Sequence, residues 1–157
     1  MRNYSPNSPE AIARLLAMFM IADGNMDPRE LELLEKLHVY HLINLPRKQF
    51  SQVLRDFCDD ISDEASDDGS IRLLERERID NLLSDVTDRR KRILTCVLAM
   101  DISKSDGTIS DSEMALLSHM MKSWPSRWTI WKENSPDDRR RPPHRRPGNK
   151  THATYSQ

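Results

Sequence analysis

The sequence predicts an all-α fold, a compact bundle of about six to seven helices built from two related helix-loop-helix units. Apolar residues recur at helical spacing along most of the first 124 positions, no stretch alternates apolar and polar residues as a β-strand does, and one acidic motif occurs twice. At 157 residues, 37% of them hydrophobic, the chain is long enough for one buried core. We therefore expect a helical domain over residues 1–125 and a separate segment over residues 126–157.

The first helix is predicted to begin at Ser8-Pro9-Glu10. Serine caps helix N-termini, proline suits the first turn, and glutamate is stabilised at the positive end of the helix dipole. Residues 15–22 then form an uninterrupted apolar run of eight residues. This run is too short for a membrane span, which needs about 20 residues, and it has apolar side chains on nearly every side. It is predicted to be a buried central helix.

Five further helices follow in the predicted order. The second begins at Asp27-Pro28 and continues to about Asn44-Leu45-Pro46, where proline ends it. The third carries apolar residues at i, i+3, i+4, i+7 spacing from Phe50 to Ile61. Residues 59–68 hold six acids in ten and are predicted to be a solvated loop. The remaining three helices are predicted around residues 79–86, around residues 93–100, and from Ser110 to Trp124.

The charge is divided unevenly between the body and the C-terminal segment. From Lys122 onward there are nine Lys/Arg and three acids, whereas the residues before it carry a net charge of −7. Prolines and the absence of apolar periodicity predict that residues 126–157 are disordered. Arginines near Trp128 and Trp131 make binding of nucleic acid or an acidic partner through this tail the alternative function. The acidic body would repel nucleic acid, so a solvated, disordered tail is favoured over nucleic-acid binding.

The sequence predicts a binding protein and not an enzyme. It contains no His-Glu-x-x-His motif, no nucleophile motif and no phosphate-binding glycine loop. His38 and His41, at i, i+3, are typical of surface or capping positions near a helix end. Cys58 and Cys96 lie in apolar helical patterns that predict buried, reduced thiols. Because no segment has the character of a signal peptide or a transmembrane helix, we expect a cytoplasmic protein.

An eight-residue acidic pattern occurs twice, 83 positions apart. Residues 23–30, Asp-Gly-Asn-Met-Asp-Pro-Arg-Glu, align with residues 106–113, Asp-Gly-Thr-Ile-Ser-Asp-Ser-Glu. Each glycine suits the left-handed conformation that ends a helix, and Met26 and Ile109 are predicted to be buried anchors of the loops. Asp27 with Glu30 predicts a capping box in the first copy. Ser110 with Glu113 predicts one in the second copy.

Capping does not explain the aspartate that precedes each glycine. A carboxylate at the C-terminal end of a helix opposes the helix dipole, so Asp23 and Asp106 need compensation by backbone amides, a basic side chain or a cation. The pattern is similar to the second half of an EF-hand calcium loop. The first and third ligand positions hold Phe19 and Ile21 in one copy, which excludes a complete EF-hand. Two interpretations are therefore open, helix capping alone or a weak divalent cation site for calcium or magnesium.

Residues 8–124, with both acidic motifs in helical context, resemble the tellurite-resistance TerB-like family. The resemblance implies an all-helical fold of two related helical hairpins and a role in tellurite and other stress responses. It also implies protein partners, including complexes at the inner face of the membrane. The metal-binding positions that it implies by alignment are Asp23, Asp27, Glu30, Asp106 and Glu113, with Asp111 as a neighbour. Ser110 replaces the acid found at Asp27, so the first loop is the better candidate site.

Overall fold

Helix α1, Pro9–Met20, lies at the centre of the fold. The Ser8 Oγ accepts a hydrogen bond from the Ala11 amide at 3.1 Å, and Pro9 occupies the first turn, so the predicted helix start is confirmed. Every residue from Ala11 to Met20 is buried. Because all sides of the helix are covered, the prediction that this helix is central is also confirmed.

The computed structural model describes residues 1–22, 24, 26, 28–63, 75–104 and 107–124, which all belong to a compact unit spanning Met1–Ser126. These residues form seven helices and no strand, which confirms the all-helical class. After α1 come α2 (Pro28–Lys36), α3 (Val39–Leu42), α4 (Arg47–Asp63), α5 (Arg76–Ser84), α6 (Arg89–Ser103) and α7 (Asp111–Ser123). None of the described helices has the length and apolar character needed to cross a lipid bilayer. The tail predicted over residues 126–157 lies outside the described residues.

The predicted second helix is wrong in its length, because the chain turns at His38. This residue adopts φ +54°, and it separates α2 from α3. The buried side of α2 contains only Leu34. The turn at His38 redirects the chain so that Val39 and Ile43 are also buried in the core. Burial of these two side chains accounts for a break that the sequence does not mark with glycine or proline.

Helix α4 buries the residues that its spacing predicted. These are Phe50, Val53, Leu54, Phe57 and Ile61. The prediction of a solvated loop from residue 59 is wrong for residues 59–63, because α4 continues to Asp63. Asp60 is buried in this helix because Arg2 binds it, with Nη1 3.0 Å from Oδ1 and the backbone amide 2.8 Å from Oδ2. Residues 64–68 lie outside the described part of the chain.

One apolar cluster holds the described helices together. Helix α1 packs against α4, α5 and α6, while α6 also packs against α2 and α7, and α5 packs against α7. Trp124, directly after α7, is buried and donates from Nε1 to the Leu83 carbonyl at 3.2 Å. The Arg92 guanidinium lies 5.5 Å from the Trp124 ring centroid. The C-terminal end of α7 is thus fixed against the end of α5 and the start of α6.

Candidate functional site

The two acidic loops join helices that end and begin at equivalent positions. Helices α1 and α6 end 83 positions apart, and α2 and α7 begin 83 positions apart, so each connecting loop has seven residues. Gly24 and Gly107 have φ of +81° and +86°, which confirms the left-handed conformation predicted for both glycines. The Gly24 amide donates to the Ile21 carbonyl at 2.9 Å, and the Gly107 amide donates to the Lys104 carbonyl at 3.0 Å. The two loops therefore have the same number of residues and share the hydrogen bond that the glycine amide donates.

In the second loop, Glu113 is engaged in starting helix α7. Its Oε2 accepts hydrogen bonds from the Ser110 amide and the Ser110 hydroxyl, both at 2.8 Å, and the Glu113 amide donates to Ser110 Oγ at 3.2 Å. The capping box predicted for this copy is confirmed. Asp111 is exposed at the first position of the helix. Ile109 is half-buried against the apolar core, as an anchor of the loop should be.

In the first loop the predicted anchor is wrong, because Met26 is 42% exposed. Glu30 lies half-buried in the first turn of α2. Asp23, Asp27 and Asp106 lie outside the described residues, so the first capping box and the convergence of the carboxylates remain predictions. Within the described ranges no three His, Cys, Asp or Glu side chains are grouped as a metal site requires.

Sequence reasoning missed a buried arginine on the central helix. The Arg14 side chain is 4% exposed, and its Nη2 lies 2.6 Å from Asp85 Oδ2 at the end of α5. Its Nη1 donates to the Arg2 carbonyl, and its guanidinium carbon lies 4.8 Å from the Tyr4 ring centroid. A single charged residue inside an apolar helix was the available signal, because such a residue needs a partner in the folded protein.

A polar cleft of about 470 Å³ lies beside this arginine. Its lining includes Arg2, Arg14 and Arg78 together with Glu77 and Asp85. Both acids and bases line the cleft, and Arg14 and Arg2 are bound to carboxylates. The described contacts around the cleft thus anchor the N-terminal residues to α1, α4 and α5.

Asn7 is the second residue that sequence reasoning missed. Its Oδ1 accepts from the amides of Thr87 and Asp88, both at 2.8 Å, and its Nδ2 donates to Thr87 Oγ1 at 2.7 Å. Its backbone amide donates to the Asp85 carbonyl at 2.7 Å, and its carbonyl accepts from Lys91 Nζ at 2.5 Å. Asn7 has φ +61°, a conformation that asparagine tolerates better than most residues. It therefore joins the chain before α1 to the loop between α5 and α6.

The described histidines and cysteines occupy structural positions. His38 and His41 are exposed, and His119 Nε2 lies 2.6 Å from Asp80 Oδ1 across α7 and α5. Cys58 and Cys96 are free thiols, as predicted, and they are half-buried against the core where burial was predicted. Burial raises the pKa of both thiols, and Asp59 adds to the increase at Cys58.

No protein-family model, curated protein or solved structure matches this chain at a significant level.

Proposed function

We propose that the chain is a non-enzymatic, TerB-like stress-response module that binds a divalent cation through two duplicated acidic loops. The observation that carries the proposal is the equivalence of the loops. Both have seven residues, a glycine with φ near +80°, and a hydrogen bond from that glycine to the third residue before it. A duplicated binding unit would have two such loops of equal length, each with an aspartate directly before its glycine.

The first loop is the stronger candidate within this proposal. In the second loop both protons donated by Ser110 go to one carboxylate oxygen of Glu113, and a serine stands where the first loop has Asp27. A hard cation such as calcium or magnesium prefers several carboxylate or carbonyl oxygens. Each motif holds three acids, but in the second copy Glu113 is engaged by Ser110, so the first copy offers the larger number of carboxylates for a cation.

The module would act inside the cell by coupling cation binding to a protein partner, including partners at the inner face of the membrane. A non-enzymatic role is supported by the structural contacts that several of the described polar residues make. Arg14 and Asn7 anchor the N-terminal residues, and Ser110 with Glu113 starts a helix.

The test is a titration of the full chain with calcium and, separately, with magnesium, followed by amide NMR. We expect shifts at Gly24 at lower metal concentration than at Gly107, and a rise in thermal stability that follows mass action. Asp23→Asn should abolish the Gly24 shift. Glu32→Gln is the matched control, because Glu32 is exposed on α2 two residues from Glu30. Absence of any shift at either glycine up to about 10 mM metal, far above the range of sensor sites, would refute the cation site.

A further inference from the structure

Helices α6 and α7 leave an apolar surface exposed. On α6, Ile93 is 44% exposed and Val97 is 50% exposed, and their i, i+4 spacing places them on one side of the helix. On α7, Met114 is 51% exposed and Met121 is 56% exposed at i, i+7 spacing. These four side chains make up more than half of the exposed large hydrophobic residues of the described chain. We call them the hairpin face.

The two pairs belong to helices that pack against each other. Arg92 contacts Trp124, so the start of α6 lies beside the end of α7 and the two helices are antiparallel. At about 100° per residue, Ile93 and Val97 lie on the side of α6 opposite the buried Ile102. This side of α6 therefore faces away from the apolar core.

The hairpin face carries charges at both ends that make no ion pair with a described residue. Arg89 and Arg90 are exposed in the first turn of α6, where a positive charge opposes the helix dipole, and they make no ion pair with a described residue. The neighbouring Lys91 and Arg92 differ, since Lys91 binds the Asn7 carbonyl and Arg92 binds the Val86 carbonyl. Arg89 and Arg90 thus cost helix stability without a compensating ion pair among the described residues.

The opposite charge lies at the other end of the same face. Asp101 is half-exposed in the last turn of α6, where a negative charge also opposes the dipole, and it too has no ion pair with a described residue. On α7, Lys122 is near the C-terminal end and Asp111 is at the N-terminal end, both exposed. The open end of the hairpin is therefore basic, and the end next to the connecting loop carries two carboxylates together with exposed Lys104.

We propose that the hairpin face binds the same face of a second copy of this chain, with α6 antiparallel to its counterpart across a two-fold axis. Reversal about the midpoint between Ile93 and Val97 places Ile93 opposite the second copy's Val97. The same reversal places Arg89 opposite Asp101, because both pairs of residue numbers have the same midpoint. The apolar pair is thereby bracketed by two symmetric ion pairs, about 18 Å apart along the helix.

The antiparallel arrangement also explains why both charges oppose their own helix dipole. Across the two-fold axis, Arg89 lies beside Asp101 and the negative C-terminal end of the second copy's α6. In the same way, Asp101 lies beside Arg89 and the positive N-terminal end of that helix. A parallel arrangement would place the basic ends together and is excluded by repulsion. An anionic lipid surface fits less well, since it would meet Asp101 and Asp111 as well as the arginines.

The experiment is sedimentation equilibrium of the full chain from about 1 to 500 μM, a range that covers weak interfaces of standard size or smaller. We expect a reversible monomer–dimer equilibrium. Val97→Glu should weaken the dimer by about 100-fold, because it buries a carboxylate in the apolar centre of the interface. Leu42→Glu is the matched control, since Leu42 is 48% exposed on α3 and lies outside the hairpin face.

Charge exchange distinguishes this arrangement from any other dimer. Arg89→Asp and Asp101→Arg should each weaken the dimer several-fold, and the double variant should restore it to within about twofold of the parent chain. Thermal unfolding of each variant verifies that the fold is retained. The proposal is overturned by a chain that stays monomeric at 500 μM, including one that binds phosphatidylserine vesicles. It is equally overturned by a dimer that tolerates Val97→Glu or is not restored in the double variant.

Discussion

Two residues of the described chain, Arg14 and Asn7, stabilise the fold through contacts that the local sequence does not reveal. Arg14 stands in an apolar run, and its carboxylate partner is 71 positions away. Asn7 precedes a helix start, and its partners are 80 and 81 positions away. Helical spacing predicts which face of a helix is buried, but it does not predict which distant residue will pair with a polar side chain on that face.

Replacing Arg14 should destabilise the protein markedly. Arg14→Met keeps the volume of the side chain but removes the charge, leaving Asp85 without its partner. Since the Asp85 side chain is 28% exposed and retains some hydration, we expect a loss of about 2 kcal/mol, less than for a fully buried pair. Urea unfolding measures the loss. Arg55→Met, an exposed change on α4, should cost under about 0.5 kcal/mol, and an equal cost for the two variants would contradict a special role for Arg14.

Both cysteines should react slowly with iodoacetamide at pH 8. Burial raises the pKa of Cys58 and Cys96 above the ordinary value of 9.0, so the folded protein holds less thiolate than free cysteine at the same pH. The same shift favours the folded state at neutral pH, and this contribution disappears as pH rises from about 9 through the raised pKa. Mass spectrometry with Cys58→Ser and Cys96→Ser gives each rate. Alkylation at the rate of free cysteine would show that the thiols are exposed.

Helix starts were predicted well, whereas helix breaks were predicted poorly. The starts of α1 and α7 follow from Ser8 with Pro9 and from Ser110 with Glu113, because the capping chemistry is contained within four residues. The turn at His38 and the extension of α4 through Asp60 depend on tertiary packing. His38 turns the chain to bury Val39, and Asp60 is retained in a helix because Arg2 binds it. For the candidate site, the geometry of both glycines was predicted but the exposure of Met26 was not.

Two substitutions in the second loop measure how much the serine cap and the glycine contribute to stability. Ser110→Ala removes the cap of α7 and should cost about 1 kcal/mol. Gly107→Ala meets no atom within 4 Å, so its cost should come only from the left-handed backbone and amount to about 1 kcal/mol. Differential scanning calorimetry gives both values. Ser112→Ala, two residues further along the chain, is the control. A loss of stability at Ser112 as large as at Ser110 would contradict the capping box.

At the scale of the whole molecule, the core is built around α1, and the residues before α1 make further contacts with later segments. Helix α1 contacts α4, α5 and α6, which come later in the chain. Asn7 and Arg14 add polar contacts to the same later segments. Contacts between residues this far apart in sequence slow folding, because a long loop must close before they form.

Asn7 should be the most sensitive polar residue of the N-terminal segment. Asn7→Ala removes three side-chain hydrogen bonds and places alanine at φ +61°, so we expect a loss of about 2 to 3 kcal/mol. Asn7→Asp keeps the acceptor for the two amides and should cost less. Equilibrium denaturation ranks the two variants, with Asn3→Ala as an exposed control. If Asn7→Asp is the more damaging of the two, the acceptor role assigned to Oδ1 is wrong.

The contacts of Asn7 and Arg14 with residues 85–88 set an order of events during synthesis. A ribosome adds about 5–20 residues per second, so Asn7 and Arg14 are made roughly 4 to 16 s before their partners. Throughout that interval α4 can already pack against α1, but the polar contacts of Asn7 and Arg14 cannot form. The start of α1 is therefore fixed in place only after the loop between α5 and α6 has been made.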